Sequence, residues 1–222
     1  MIANALRVKA VLFDLDGTLI DSAPDLAGAA NDMRVARGLS ELPYAALRPM
    51  VGSGARGMVS VGFGIGVADH GFVALRDEFL NRYEQRMTQL THVFVGVTEM
   101  LASLDAANVP WGIVTNKAAR FASPLVEALT LHKRAAVLIA GDTTPHAKPH
   151  PAPLLEAARR IKVEPADCAY VGDDLRDIQA GHAAGMTTVA VRWGYLGLGE
   201  PIEAWGAHHI VSVPSDILAL LA

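Results

Sequence analysis

The chain is predicted to be an α/β protein: a doubly wound, Rossmann-like parallel sheet with a helical domain inserted after its first strand. Three observations carry that expectation. Short apolar runs alternate with stretches whose apolar residues recur every three or four positions, as strands alternating with amphipathic helices do. About ninety residues separate the first run from the second, far more than the dozen or so that a crossover between parallel strands requires. Acidic residues stand directly after the first run and after a later one, where an open parallel sheet binds its ligands.

The first strand is expected over residues 8–13 and ends in Asp14-Leu15-Asp16-Gly17-Thr18-Leu19. Helical spacing follows over residues 23–38 and 72–87, with a glycine-rich stretch, 51–66, between them. The second strand is expected over 109–114, leading through Thr115-Asn116 to a helix over 118–129. Residues 135–140 then precede a helix over 151–161, and 168–172 precede one over 175–184. A strand over 187–191, another over 209–213 and a helix over 215–221 close the series. The oversized first crossover is explained by an insertion. Residues 1–20 and 91–222 then form the sheet domain, and residues 21–90 a helical domain over its edge.

Composition narrows the function. A net charge of -4 gives no basic footprint for nucleic acid. No uninterrupted apolar stretch is long enough to span a bilayer, and the residues before the first strand leave no room for a signal peptide. The single cysteine, Cys168, excludes an internal disulfide and a multi-cysteine metal site; it reads as a small core residue and suits a reducing cytoplasm. A cytoplasmic protein acting on a small molecule is expected, either monomeric or homodimeric, without nucleic-acid or membrane partners.

Four segments converge on one rim of such a sheet. Asp14 and Asp16, released two residues apart where a buried strand ends, each raise the other's pKa or demand a cation between them. Mg²⁺ meets that demand, since it prefers a few carboxylate oxygens together with water and phosphate oxygens. Thr115, after the second strand, offers a hydroxyl and nearby amides to a phosphoryl oxygen. Lys148 lies in His146-Ala147-Lys148-Pro149-His150-Pro151, where prolines hold the backbone extended and limit where it points. Asp173 and Asp177, in Gly172-Asp173-Asp174-Leu175-Arg176-Asp177, lie one helical turn apart on one face.

These segments resemble the four motifs of the haloacid dehalogenase (HAD) superfamily, most of whose members are Mg²⁺-dependent phosphatases. The resemblance runs over residues 8–213 and implies a HAD-like core with a helical cap at 21–90. It implies that Asp14 is the nucleophile and Asp16 the general acid/base, the latter also reaching Mg²⁺ through its backbone carbonyl. Thr115 would bind phosphate, with Asn116 and Lys117 beside it; Lys117 reads equally as a solvated lysine at a helix start. Lys148 would offset repulsion between nucleophile and phosphate. Asp173 would ligate the metal, and Asp177 would orient metal-bound water or Lys148. Asp174 is left without a defined role beyond favouring the helix N-terminus.

Gly52-Ser53-Gly54-Ala55-Arg56-Gly57 fits a dinucleotide fingerprint on paper, but Pro49 spoils the strand that should precede it. The segment from Arg48 to Ala55 instead resembles a cap loop of phosphoglycolate phosphatases, with the backbone at Gly52 and Gly54 close to substrate. Arg48 or Arg56 would pair with a polar leaving group, or simply lie on the surface. Trp193-Gly194-Tyr195 and Trp205-Gly206-Ala207 also look like bacterial N-acetylmuramic acid 6-phosphate phosphatases. Phosphoglycolate hydrolysis is the leading expectation. Amino-sugar phosphate hydrolysis, sugar-phosphate hydrolysis, phosphomutase action and a catalytically silent binding protein are the alternatives. A dehalogenase would have no need of Asp16.

Overall fold

The computed structural model describes residues 8–221, so the opening residues 1–7 lie outside it. Six parallel strands form the central sheet: β1 (Ala10–Phe13), β4 (Trp111–Val114), β5 (Leu138–Ile139), β6 (Cys168–Gly172), β7 (Thr187–Val191) and β8 (His209–Val211). Their spatial order is β5-β4-β1-β6-β7-β8. β1 thus has β4 on one side, with Val11 opposite Trp111, and β6 on the other, with Ala10 opposite Cys168. Chain progression reverses between β1 and β6, and the crevice for ligands opens there.

Both sheet faces are covered, and alternation along the strands shows how. Val11 and Phe13 pack with Ala169 and Val171 in one core, whereas Ala10 and Leu12 pack with Cys168 and Tyr170 in another. Helices α5 (Val97–Ala106), α6 (Ala119–Ala128), α7 (Ala152–Ile161), α8 (Leu175–Ala183) and α9 (Ser215–Leu221) belong to this part of the chain. Helix α5 is absent from the sequence expectations. Yet it buries Val97, Met100, Leu101 and Leu104, a helical spacing that was open to view. The second strand starts later than expected because Pro110 has no N–H to give; its carbonyl accepts from Val11 instead.

Between β1 and β4 the chain leaves through β2 (Ile20–Asp21) and returns through β3 (His92–Val93). These pair antiparallel as a separate two-stranded ribbon, Ile20 opposite Val93 and Asp21 opposite His92. The intervening residues form helices α1 (Ala23–Val35), α2 (Tyr44–Leu47), α3 (Gly54–Phe63) and α4 (Phe72–Arg86). The glycine-rich stretch, expected as a loop, is a 3-10 turn over Arg48–Ser53 running into α3. Glycine's low helix propensity hid this. Burial of Met58 and Val59 stabilises the helix, and a side chain at Gly57 would strike the Met50 carbonyl at 2.6 Å. At the base of the segment, Asp25 of α1 is fully buried, and its Oδ2 accepts from Leu90 N, Thr91 N and Thr91 Oγ1 at 2.8–2.9 Å. Arg86 of α4 stands 3.7 Å away from its Oδ1.

Candidate active site

Strand register builds the site. Phe13 is opposite Val171, so β1 and β6 deliver Asp14 and Asp173 side by side, and Asp14 N donates to Val171 O at 2.9 Å. The chain then turns through Gly17 (φ +86°), where a Cβ would lie 2.1 Å from Asp173 Oδ2. Glycine is needed there for its backbone angle and for space. Asp173 is fixed from two sides: Thr18 Oγ1 donates to Oδ1 and Tyr195 N to Oδ2, each at 2.9 Å.

Lys148 is buried, and its Nζ lies 2.9 Å from Asp14 Oδ1 and 2.7 Å from Asp177 Oδ1. It also donates to Tyr170 Oη at 2.8 Å and to Val114 O at 3.1 Å. Burial opposes its charge, but Asp14 and Asp177 outweigh burial and hold the ammonium's pKa above its ordinary value. The peptide bond from Lys148 to Pro149 is cis. Asn116 braces this backbone at two points, Nδ2 to Lys148 O and Lys148 N to Oδ1, both 2.9 Å. Its amide is therefore engaged with Lys148, although the sequence placed it on the substrate. Thr115 is buried at the end of β4, and its Oγ1 accepts from Lys117 N at 3.1 Å.

Asp16 faces a second cation. Lys117 Nζ lies 2.9 and 3.1 Å from its two carboxylate oxygens, and Ser22 Oγ donates to Oδ1 as well. Burial opposes the Lys117 charge, yet Asp16 and then Tyr83 together outweigh it and raise the pKa. Lys117 is thus no solvated helix-start lysine. Asp174 caps α8 in a reciprocal box with Asp177, accepting from Arg176 N at 2.9 Å while Asp177 Oδ2 accepts from Asp174 N at 3.1 Å. Burial works against Asp174 ionising, but its bonds to Arg176 prevail and leave the pKa below the usual range. Arg176 also donates to Gly52 O, tying α8 to the turn before α3.

Carboxylate oxygens of Asp14, Asp173 and Asp177 all lie within 4.8 Å of one another. Burial pushes Asp14 up to about 7 against the pull of Lys148. Burial, with Asp14 and Asp177 nearby, raises Asp173 well above the carboxylate range. Four carboxylates (Asp14, Asp16, Asp173, Asp177) here face two ammonium groups (Lys117, Lys148), so full ionisation leaves two negative charges unmatched. A divalent cation fits that deficit. Asp177 already serves Lys148 and Asp174, which leaves Asp14 and Asp173 as the freer pair.

These groups line a cavity of about 360 Å³ that also includes Gly52, Ser53, Gly54 and Ala55. Arg48 is not among its lining residues. Its guanidinium donates to Gly194 O (3.1 Å) and Trp193 O (3.3 Å) and lies over the Tyr195 ring. Arg56 is exposed. Sequence reasoning gave no role to Thr18, Ser22, Tyr83, Tyr170, Arg176 or Tyr195. Thr18 and Arg176 lie inside the motif strings, Tyr195 lies inside Trp193-Gly194-Tyr195, and Tyr170 stands two residues before Gly172 on β6; Ser22 and Tyr83 carried no signal.

A family model for haloacid dehalogenase-like hydrolases matches residues 11–191. An N-acetylmuramic acid 6-phosphate phosphatase of Pseudomonas aeruginosa is 41% identical over 216 residues, covering 97% of this chain and 96% of that one. A phosphoglycolate phosphatase of Xanthomonas campestris pv. campestris is 47% identical over 214 residues, 94% of each. The crystal structure of a predicted phosphoglycolate phosphatase from Haemophilus somnus 129PT superposes with a TM-score of 0.85 at 26% identity, covering 97% of this chain and 99% of that one.

Proposed function

Given that the chain belongs to the haloacid dehalogenase-like hydrolases and is a phosphatase, we propose that it is a Mg²⁺-dependent phosphomonoesterase working through an aspartyl-phosphate. 2-Phosphoglycolate is its leading substrate. The observation that carries this reading is the meeting of Asp14, Lys148 and Asp173 at the β1–β6 crevice, with Asp16 and its own lysine alongside.

Asp14 attacks phosphorus in line, forming a carboxylate–phosphorus bond as the ester oxygen leaves. Leu15 N and Lys148 hold its Oδ1 at 2.7 and 2.9 Å, which fixes the side chain for that approach. Asp16 gives a proton to the departing alkoxide, then takes one from the water that cleaves the intermediate and frees Asp14. Lys148, the Thr115 hydroxyl and amides after β1 and β4 stabilise charge on the equatorial oxygens. Asp14, Asp173 and the Asp16 backbone carbonyl hold Mg²⁺, which when bound neutralises carboxylate and phosphate charge together. Asp177 positions Lys148.

Residues 21–90 act as a cap that excludes bulk water during turnover. Supporting contacts between these helices and the sheet region are Arg176 to Gly52 O, Arg48 to the 193–194 carbonyls, and the 2.7 Å Arg120–Glu84 pair. The enzyme works in the cytoplasm as a monomer or homodimer; its single buried cysteine suits a reducing compartment. Among the described residues, no helix is long and apolar enough to cross a membrane.

The cavity volume favours a second reading, N-acetylmuramic acid 6-phosphate hydrolysis, because about 360 Å³ exceeds what a two-carbon leaving group fills. Hydrolysis of p-nitrophenyl phosphate tests the reaction: it should require Mg²⁺, stop in EDTA and vanish in Asp14→Asn. Full turnover in excess chelator refutes the metal-dependent scheme. Comparison of kcat/KM for 2-phosphoglycolate, N-acetylmuramic acid 6-phosphate and simple sugar phosphates decides the substrate. A hundredfold preference, about 2.7 kcal/mol of differential transition-state binding, is decisive.

A further inference from the structure

The cavity has two unlike halves. One holds the carboxylates and Lys148; the other is walled by Leu26 of α1, Phe79, Leu80 and Tyr83 of α4, and Phe121 of α6. The aromatic rings form a continuous surface. Phe79 and Tyr83 are nearly coplanar in orientation (5°) with centroids 6.3 Å apart, and Tyr83 meets Phe121 at 5.6 Å. Packing alone accounts for such a wall, but not for the oxygen in it. Tyr83 is 2% exposed, and its hydroxyl, although it lies beside the Lys117 ammonium, makes no hydrogen bond of normal geometry among the described residues. A buried phenol normally finds a partner. Lys117 Nζ stands 4.8 Å from the centroid of that same ring, its contacts with Asp16 on the side facing the reaction centre. An ammonium has three donors, and Lys117 is shared between these two surroundings.

We propose that the Tyr83 hydroxyl and Lys117 form a specificity subsite for a carboxylate on the leaving group, with Phe79, Phe121 and Leu26 receiving an apolar substituent beside it. The inference rests on the phosphatase reading and deepens it. Between the two substrate readings it favours the second over 2-phosphoglycolate, assigning phosphomonoesters whose alcohol carries a carboxylate next to a methyl-sized or larger apolar group. The chemistry is complementary at each point. A carboxylate accepts the idle phenol hydrogen, pairs with the ammonium and leaves the aromatic wall to the apolar neighbour. A leaving group without a carboxylate strands the Tyr83 hydroxyl and forfeits the lysine. Sites built around a buried polar group reject analogues that leave it unpaired.

N-Acetylmuramic acid 6-phosphate and N-acetylglucosamine 6-phosphate make a suitable pair, because they differ only in a lactyl ether bearing a carboxylate and a methyl group. Wild-type enzyme should favour the lactyl compound at least tenfold in kcat/KM, with most of the difference in KM. Tyr83→Phe should lower that ratio at least fivefold. The variant should melt at the same temperature as wild type or above it, since the deleted hydroxyl makes no bond in the free protein. A ratio unchanged in Tyr83→Phe, or no wild-type preference between the two compounds, overturns the subsite. Failure of wild-type enzyme to hydrolyse p-nitrophenyl phosphate overturns the phosphatase reading instead, so the two failures are distinguishable.

Discussion

Replacing Asp25 with Ala should destabilise the protein. The Asp25 carboxylate is fully buried, and three donors converge on one of its oxygens at 2.8–2.9 Å: the amides of Leu90 and Thr91 and the Thr91 hydroxyl. Alanine leaves the buried Thr91 amide and hydroxyl without their acceptor, each at a cost of about 1–3 kcal/mol, and the part-buried Leu90 amide at a smaller one. Arg86 loses a counter-charge as well, but at 3.7 Å that pair stops short of a hydrogen bond and adds less. The expected loss is about 4 kcal/mol, a large share of a typical folding free energy of roughly 5–15 kcal/mol. For a chain of this length it corresponds to a fall in Tm of about 8–16 °C. Asp25→Asn retains an acceptor and should lose about half as much. Thermal and urea unfolding followed by circular dichroism measure both variants. A loss below about 1 kcal/mol for Asp25→Ala would falsify the idea that this carboxylate fastens the returning chain to α1.

Further outcomes follow from the same geometry. Because Asp14 titrates near 7 and Asp173 is raised further, the metal-free fold binds protons that the unfolded chain releases near pH 4. Its stability therefore declines as pH rises from about 4 through 7, and urea titrations with and without Mg²⁺ should diverge over that window. Cation binding should release protons, so calorimetry in buffers of unlike ionisation heat should show tighter binding at higher pH; zero proton release contradicts the assignment. Gly17→Ala should push Asp173 aside, since the new Cβ would lie 2.1 Å from its Oδ2 at a backbone angle alanine resists. Mg²⁺ affinity should fall at least tenfold, about 1.4 kcal/mol, and unchanged binding in calorimetry removes Asp173 from the ligand set. The buried Cys168 thiol, pushed up to about 11 by burial, should resist iodoacetamide at pH 8 in the native protein and react once urea exposes it. Equal rates in both states contradict its burial.

Much of the sheet was legible because each strand reports its own burial. The runs ending at Phe13, Val114 and Gly172 are apolar whichever face is considered, as parallel strands covered on both sides must be. Asp14 and Asp173 were legible for the opposite reason, since charge at the end of such a run demands compensation. The ribbon of β2 and β3 was not, because two-residue strands carry no periodicity and exist only through their partner. Helix α3 hid behind its glycines. Asn116 was expected beside the phosphate and Arg48 either on the leaving group or at the surface; Asn116 does line the cavity, but the side-chain hydrogen bonds of the two go to Lys148 and to the 193–194 carbonyls. Tyr83 was invisible for a deeper reason. A tyrosine at helical spacing reads as ordinary packing, and only coordinates reveal that its hydroxyl has been left idle.

The antiparallel ribbon also bears on how the chain finds its fold. Pairing β1 with β4 directly means closing a loop of about a hundred residues, whereas prior zipping of Ile20–Asp21 to His92–Val93 shortens the open path to about twenty-five. Two halvings of loop length relieve roughly 1.2 kcal/mol of closure entropy. The helices between can then assemble as a side branch while the sheet nucleates independently of them.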